Sequence, residues 1–431
     1  QQVYRKNPGL RGRSNEIMQM GIERIGDSTF DSDVQTLALG ARALSVCRAR
    51  DYRIEIGHVG IFKLLMDHLS VDREEKNKIH EYISAKNYAA LSAKLFGGRE
   101  AFEKAKDLFK GYDSRLTDML AYLSRIFFSL KELGLENHII IDLGLVNQAD
   151  YYSSLVFKGY IASVGEPVLS GGRYDGLLKE FGEDLPAIGF GMNVDILTAN
   201  LLREKEPDGK KVHATKNLKI ALTKGRLEKS AIELFQSMGF NCENLQEKGR
   251  KLFLSIPGRN IDIVFAKAGD VITYVEHGAC DLGIVGMDTI MESGGTFYEV
   301  LNLGFGACKF VLAAPKGTDF YSGYSTKRIA TKYPNVAREF FEDQGMDVQI
   351  IKIEGSVELA PLLSLADGIV DIADTGVTLK ENGLEVIEEI RNISARLIVN
   401  EASMKLKKRT IDILIEEMEK KVKINNENLR S

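Results

Sequence analysis

Residues 367–379 read DGIVDIADTGVTL. A short apolar run ends in two carboxylates, Asp371 and Asp374, and passes into a small hydroxyl-bearing turn before the next apolar residue. This is the pattern of a buried strand that delivers polar side chains at its carboxyl end, where a helix begins. GACDLGIVGMDTI, residues 278–290, repeats the layout of helix end, acid, apolar strand, glycine, polar side chain and helix. Two such strand ends facing each other predict two α/β lobes with a ligand cleft between them.

The alternation extends through the second half: LKIALTK as strand, KSAIELFQSMGF as helix, IDIVFAK, DVITYVEHG, and so on to ARLIVN and a charged final helix. Pro334 is placed for a first-turn proline before NVAREFFEDQ, while Ser356 is placed to cap a helix over VELAPLLSL with Glu358 in its first turn. Residues 201–216, LLREKEPDGKKVHATK, lose apolar periodicity, gather charge and contain a Pro-Asp-Gly turn, which predicts a linker. Before it, helical spacing dominates Asp31 to Leu130, Tyr82 to Leu95 included. Strand-like pieces at 138–142 and 155–162 make that half α+β.

The chain has 431 residues, 44% hydrophobic and 27% charged, enough for several domains and a sizeable core. A net charge of −4 gives no global basic field, which disfavours a nucleic-acid partner. Cys47, Cys242, Cys280 and Cys308 are scattered without metal-site or disulfide spacing, so a reducing cytoplasm is expected. No apolar run approaches the ~18 residues of a membrane span. The sequence opens at Gln1 inside what reads as ordered chain, so an N-terminal portion is expected to be missing.

At Thr375-Gly376-Val377-Thr378, backbone N–H groups, two hydroxyls and a helix N-terminus suit a phosphate. Asp371 and Asp374 suit sugar hydroxyls or a metal-bound one, so turn and acids together suggest a phosphorylated sugar. Lys224-Gly225-Arg226 follows one strand and Gly249-Arg250-Lys251 precedes another, placing cations at strand ends, with Lys267 and Asp288 as further cleft positions. Taken singly, the Thr-Gly-Val-Thr turn also reads as a helix cap, and each basic pair as a solvated surface feature.

From about residue 217, the segments ALTKGRLEKSAIELF, GRKLFLSIP, DVITYVEHGACDLGIVGMD, RIATKYPNVAREFF and GSVELAPLLSLADGIVDIADTGVTLKENGL resemble the short form of ATP phosphoribosyltransferase, which opens histidine biosynthesis. The resemblance implies a two-lobed, periplasmic-binding-protein-like α/β domain over 217–431. Lobe I would span about 217–302 and 383–425, and lobe II about 303–382. It implies ATP and phosphoribosyl pyrophosphate as substrates, with Mg²⁺. Glu358, Asp371, Asp374, Thr375, Gly376, Val377 and Thr378 would hold phosphoribosyl pyrophosphate; Arg226 and Arg250 would be catalytic beside its pyrophosphate; Lys224, Gly225, Lys267 and Asp288 would line the ATP part of the cleft. No protein residue is assigned to the metal. Adenine N1 is largely unprotonated at neutral pH and attacks the ribose C1 without a general base, so His277 and the other histidines are read as structural. One departure is Ser364, where the family carries Gly.

In the first half, VYRKNPGLRGRSNEIMQMGIERIG (3–26), DYYSSLVFKGY (150–160), SGGRYDGLLKEFG and PAIGFGMNVDIL resemble class II histidyl-tRNA synthetases, and more closely the regulatory paralogue that accompanies the short-form transferase. The match covers about residues 1–200, incomplete at the N-terminus. Arg5, Gln19, Glu23, Tyr151 and Tyr152 fall on histidine-pocket positions, whereas Asn147 and Ile196 stand where synthetases carry arginines. A pocket that takes histidine but lacks the cations to activate it implies a feedback sensor, fused one to one with its enzyme, in a homo-oligomer built through both halves. The competing readings are a non-catalytic solute-binding protein, a histidyl-tRNA synthetase relative, and a first half kept only for assembly.

Overall fold

The computed structural model describes residues 1–4, 14–47, 49, 51–61, 64, 114–143, 145, 151–162, 164–205, 217–323, 325–374 and 376–428. In the first half, seven strands form one sheet: β1 (Gln2–Tyr4), β2 (Glu16–Ile25), β3 (Tyr52–His58), β4 (Ile139–Ile141), β5 (Leu155–Ile161), β6 (Leu169–Arg173) and β7 (Ala187–Asn193). Their spatial order is β1-β2-β7-β6-β5-β3-β4, antiparallel throughout except for the β3–β4 pair. Helices α1 (Phe30–Val46) and α2 (Ser114–Glu132) cover one face, and α3 (Val194–Lys205) follows β7. Ile54, Ile56, Phe157, Leu169, Ile188 and Phe190 alternate along their strands onto that face and meet Leu37, Leu44, Leu123, Ile126 and Leu130. The opposite face carries Gly21, Gly172, Gly189 and Gly191 with the side chains of Glu23 and Glu55.

Two expectations change here, and a third is not tested. Strand β3 lies inside the stretch read as helical, because seven residues of YRIEIGH alternation are swamped by a long helical window. Tyr82 to Leu95 lies outside the described residues. The expected linker begins late: α3 runs to Lys205 because LLREK consists of good helix formers, and 206–216 lie outside the described residues.

In the second half, a six-stranded sheet in the order β12-β18-β11-β8-β10-β9 makes lobe I, and a five-stranded sheet in the order β15-β14-β16-β13-β17 makes lobe II. The strands are β8 (Leu218–Thr223), β9 (Phe253–Ser255), β10 (Ile261–Ala266), β11 (Leu282–Gly286), β12 (Tyr298–Asn302), β13 (Cys308–Pro315), β14 (Lys327–Thr331), β15 (Val348–Lys352), β16 (Gly368–Ala373), β17 (Leu384–Ile393) and β18 (Ala395–Val399). The helices are α4 (Arg226–Ser237), α5 (Glu243–Gln246), α6 (Ala268–Glu276), α7 (Met287–Ser293), α8 (Pro334–Asp343), α9 (Leu359–Leu362), α10 (Val377–Glu381), α11 (Glu401–Leu406) and α12 (Lys408–Asn428). The lobe I sheet is covered on both faces. Ile220 and Leu222 pack with Phe235 and Met418 on one side, Ala221 and Val285 with Val271 and Val275 on the other. This double burial is why its strands read as continuous apolar runs.

The lobe boundary needs correction. β17, expected in lobe I, pairs along its length with β13 in lobe II, so the second crossing falls at Ser394. LEVIEEIRNI is a half-buried, charged strand, and such a pattern carries no mark of which sheet it joins. The crossings are tied together where Ser394 Oγ donates to Asn302 Oδ1 at 2.8 Å. Pro334 does open α8. Ser356, however, caps nothing with its side chain: the helix expected over VELAPLLSL is the single turn Leu359–Leu362, with Glu358 at its N-cap. The chain leaves that turn at Ser364, the sole non-glycine residue with positive φ (57°) among the described residues.

The halves meet where α11 lies on β3 and β5. Asn400 Nδ2 donates to Gly165 O at 2.8 Å, and Lys405 Nζ meets the carboxylates of Glu55 and, at 2.7 Å, Asp142.

Candidate functional site

Strands β8, β10 and β11 run parallel, so Thr223, Ala266 and Gly286 end at one edge of lobe I. Lys224-Gly225-Arg226 leaves the first of these ends. Gly225 takes φ 99°, which turns the chain into α4 with Arg226 as its first residue. Lys224 N donates to Ala266 O at 2.8 Å, and Lys267 at the N-cap of α6 follows directly. Phe265 N donates to Leu252 O at 2.9 Å, which brings the exposed Arg250, at the entry to antiparallel β9, to the same edge. Three segments distant in sequence thus place Lys224, Arg226, Arg250 and Lys267 along one rim.

Lobe II supplies the facing rim. Asp371 lies near the carboxyl end of β16, and Asp374 follows it; Gly376, at φ 71°, precedes α10. Thr375 lies outside the described residues. α10 has only five residues, too few to build the full helix dipole, so an anion here would be held by N–H groups and the exposed Thr378 hydroxyl. Arg226 spans the gap between lobes: its Nη1 donates to Asp374 Oδ2 at 2.9 Å and its Nη2 to Cys308 Sγ at 2.7 Å. Both ends of the pair are exposed, so solvent screening makes it exchangeable rather than a structural brace.

Deeper in the cleft, Tyr333 follows β14, and its hydroxyl donates to Asp288 Oδ2, across the lobes, at 3.3 Å. Burial, then the charges of Asp288 and Asp371, push the Tyr333 hydroxyl well above its ordinary range, which keeps it a donor. Burial also pushes the Asp371 carboxyl up, against the hydrogen bond from Ile372 N at 2.8 Å, and the Glu358 charge adds to the rise. Glu358, Asp371, Tyr333 and Asp288 thus form one polar group. Glu292 of α7 holds the lobes together on the far side: its Oε2 accepts from Asn335 N at 2.9 Å and Val336 N at 3.3 Å, satisfying donors at the start of α8. Tyr333, Cys308 and Glu292 were not singled out by sequence. Only tertiary pairing marks them.

The first half carries a second site. Side chains at Gly172, Gly189 and Gly191 would collide with Tyr152, Glu23 and Gln19 respectively, so the glycines open the sheet for these three. Tyr151 and Tyr152 rings are 4.5 Å apart, and Tyr174 meets Tyr151 edge-on at 6.0 Å. The Tyr174 hydroxyl donates to Glu23 Oε2. Burial, then that bond, pushes the Tyr174 hydroxyl upward; burial does the same to Tyr152. A carboxylate among three aromatic rings suits a planar cationic or N–H-bearing ligand. Sequence reading missed Tyr174, although it sits in the quoted SGGRYDGLLKEFG. Arg5 and Asn147 lie outside the described residues. Ile196 sits in the first turn of α3 against the core, bringing no cation.

Residues 267–420 match the family profile of ATP phosphoribosyltransferase, and residues 1–197 that of histidyl-tRNA synthetase. ATP phosphoribosyltransferase of Clostridium kluyveri (strain ATCC 8527) is 59% identical over 210 residues, 49% of this chain and 95% of that relative. The enzyme of Clostridium botulinum (strain Langeland) is 60% identical over 203 residues, 47% of this chain and 96% of the relative. Among solved structures, an ATP phosphoribosyl transferase complex from Thermotoga maritima aligns at 35% identity with a TM-score of 0.42, covering 48% of this chain and 98% of that one. An ATP phosphoribosyltransferase regulatory subunit/histidyl-tRNA synthetase from Bacillus halodurans aligns at 24% identity with a TM-score of 0.41, covering 62% and 66%.

Proposed function

We propose, from the premise that this chain belongs to the ATP phosphoribosyltransferase family, that the interlobe cleft joins ATP to phosphoribosyl pyrophosphate with the two rims dividing the labour. The products are N1-(5-phosphoribosyl)-ATP and pyrophosphate. The observation that carries this assignment is the meeting of KGR and ADTGVT across the cleft, with Arg226 and Asp374 in contact at 2.9 Å.

The turn Asp374–Thr378 cradles the ribose 5-phosphate, and Asp371, with Glu358 behind it, accepts ribose hydroxyls. Arg226 exchanges Asp374 for the pyrophosphate and, with Arg250, stabilises the negative charge that develops as it leaves. Lys224, Gly225, Lys267 and Asp288 line the ATP side, with Tyr333 steadying Asp288. Adenine N1 carries its own lone pair, so the protein's contribution is alignment and charge neutralisation. A divalent cation, Mg²⁺ in our reading, neutralises pyrophosphate charge when bound.

The two sheets joined by two crossings fit a periplasmic-binding-protein-like pair of lobes, and the seven-stranded sheet fits a class II synthetase core. Gln19, Glu23, Tyr151, Tyr152 and Tyr174 support a histidine pocket, and the apolar Ile196 supports sensing over activation. Among the described residues no helix is long and apolar enough to cross a membrane. A homo-oligomer belongs to this reading, and light scattering tests it. The deciding assay mixes the protein with ATP, phosphoribosyl pyrophosphate and Mg²⁺ and follows phosphoribosyl-ATP absorbance. Absence of both that signal and pyrophosphate release refutes the assignment; calorimetry without a histidine signal refutes the sensor.

A further inference from the structure

One face of the first-half sheet carries two features. Glu55 lies beside Lys158, Lys158 beside Ser170, Ser170 beside Gly191 and Gly191 beside Gly21. Partners directly across a ladder project to the same side, and Glu23, two residues from Gly21, shares it. The tyrosine pocket and Glu55 therefore occupy one face. From Gly172, beneath Tyr152, to β3 is two strand steps, about 10 Å at the usual ~4.8 Å spacing.

α11 of the second half sits on the remainder of this face. Glu55 is fully buried and the Lys405 side chain only 9% exposed, so their ion pair is excluded from water. Asp142 accepts from Lys405, and the buried Tyr160 hydroxyl donates to Glu55 Oε2 at 3.2 Å. Attraction in such a cluster offsets desolvation only while the geometry holds, so small displacements are costly. β5, which carries Tyr160, borders both β3 and the β6 strand beneath Tyr152. A ligand that shifts β6 against β5 disturbs the surroundings of Glu55.

The other end of the connection is the hinge between the lobes. Asn400 joins β18 to α11, capping it by accepting from Ser403 N at 2.9 Å. At the opposite end of β18, Arg396 pairs with Glu299 at 2.9 Å, donates to Met287 Sδ at 3.1 Å, and donates to Ser394 Oγ at 2.7 Å, beside the paired crossings. A five-residue strand, hydrogen-bonded on both sides to β11 and β12, links α11 to the cleft.

We propose that the Lys405–Glu55–Asp142 cluster is the joint through which occupancy of the tyrosine pocket is transmitted to the substrate cleft, with Lys405 a positioning residue for α11. This rests on the histidine-sensing reading above. The test uses the full chain, measuring histidine affinity by calorimetry first and histidine inhibition of the transferase reaction second. Lys405→Met should keep basal kcat, substrate KM and histidine affinity, while the half-inhibitory histidine concentration rises about tenfold or more, within the usual range of allosteric coupling. Lys405→Arg should retain inhibition. A Glu55→Gln/Lys405→Met pair, which leaves no unpartnered charge from either residue, should fold normally and stay desensitised. Unchanged inhibition in Lys405→Met or in the double variant overturns the proposal, as does loss of basal activity in both, which would make the cluster a fold contact only. A wild-type chain that binds no histidine instead removes the sensing reading, and the joint with it.

Discussion

Ser364 occupies a backbone conformation that its side chain disfavours, and the expected consequence is that Ser364→Gly stabilises the protein. At φ 57° an L-residue pays about 1–2 kcal/mol in clash between Cβ and the following carbonyl. Glycine avoids that clash but gives the unfolded chain about 0.4–1 kcal/mol more entropy to lose. The difference favours Gly by roughly 0.5–1 kcal/mol. Both backbone contacts survive, since Ser364 N donates to Pro361 O at 3.0 Å and Ser364 O accepts from Arg328 Nη1 at 3.1 Å. For a unit of this size the gain corresponds to about 1–4 °C in the melting transition of the transferase half. Ser364 precedes the amino end of β16 while Asp371 lies near the other, so KM for phosphoribosyl pyrophosphate should not move. Differential scanning calorimetry of the full chain gives the first quantity and initial-rate kinetics the second. Ser364→Val should shift the transition downward, because a β-branched side chain tolerates positive φ least. A Ser364→Gly protein that melts no higher than wild type, or a Ser364→Val protein that melts no lower, refutes the strain assignment.

Arg250→Ala should lower the single-turnover rate by the equivalent of about 2–4 kcal/mol, the loss of one preorganised donor; a wild-type rate excludes Arg250 from leaving-group stabilisation. Thr378→Val should weaken phosphoribosyl pyrophosphate binding by about 1 kcal/mol with little effect on kcat, and an unchanged dissociation constant places the turn outside the site. Asp371→Asn separates binding from stability. The folded carboxyl holds its proton more tightly than the unfolded one, so wild-type stability falls as pH rises from the ordinary value of 3.8 through the raised folded value. The Asn variant should therefore be the more stable protein at neutral pH, with the difference vanishing in acid, yet bind phosphoribosyl pyrophosphate more weakly by about 1.5–3 kcal/mol. Chemical denaturation at several pH values with parallel binding titrations checks both halves. Tyr174→Phe, which removes the donor to Glu23, should weaken histidine binding by about 1 kcal/mol in calorimetry without altering basal kcat.

The elements legible in the sequence were those whose surroundings are uniform. β8, β10, β11 and β16 are apolar nearly throughout because helices or strands cover both their faces, and the glycines at 225 and 376 mark turns that positive φ requires. β3 was hidden because its seven-residue alternation is outweighed by the long helical window around it, and β17 because a half-buried, charged strand carries no mark of which sheet it joins. The rim cations, the Asp371–Asp374 pair, Glu23, and the Tyr151–Tyr152 pair could be named because each sits in a contiguous motif, whereas Tyr174, which bonds Glu23, was passed over. Tyr333, Cys308 and Glu292 could not: each earns its place from a partner in the other lobe or at the far end of the cleft.

β18 occupies the interior of the lobe I sheet, between β12 and β11, yet β12 ends at Asn302 and β18 begins at Ala395. At roughly 5–20 residues per second of synthesis, the earlier strands wait on the order of 10 s with open edges before their neighbour leaves the ribosome. Only then is the lobe I sheet complete, and α11, which rests on the first half, is made immediately after, before α12 covers the sheet. Closure of the lobe I sheet and docking on the first half thus fall together, late in the synthesis of the polypeptide. One short stretch of chain, residues 395–406, both completes the lobe I sheet and makes its contact with the first half.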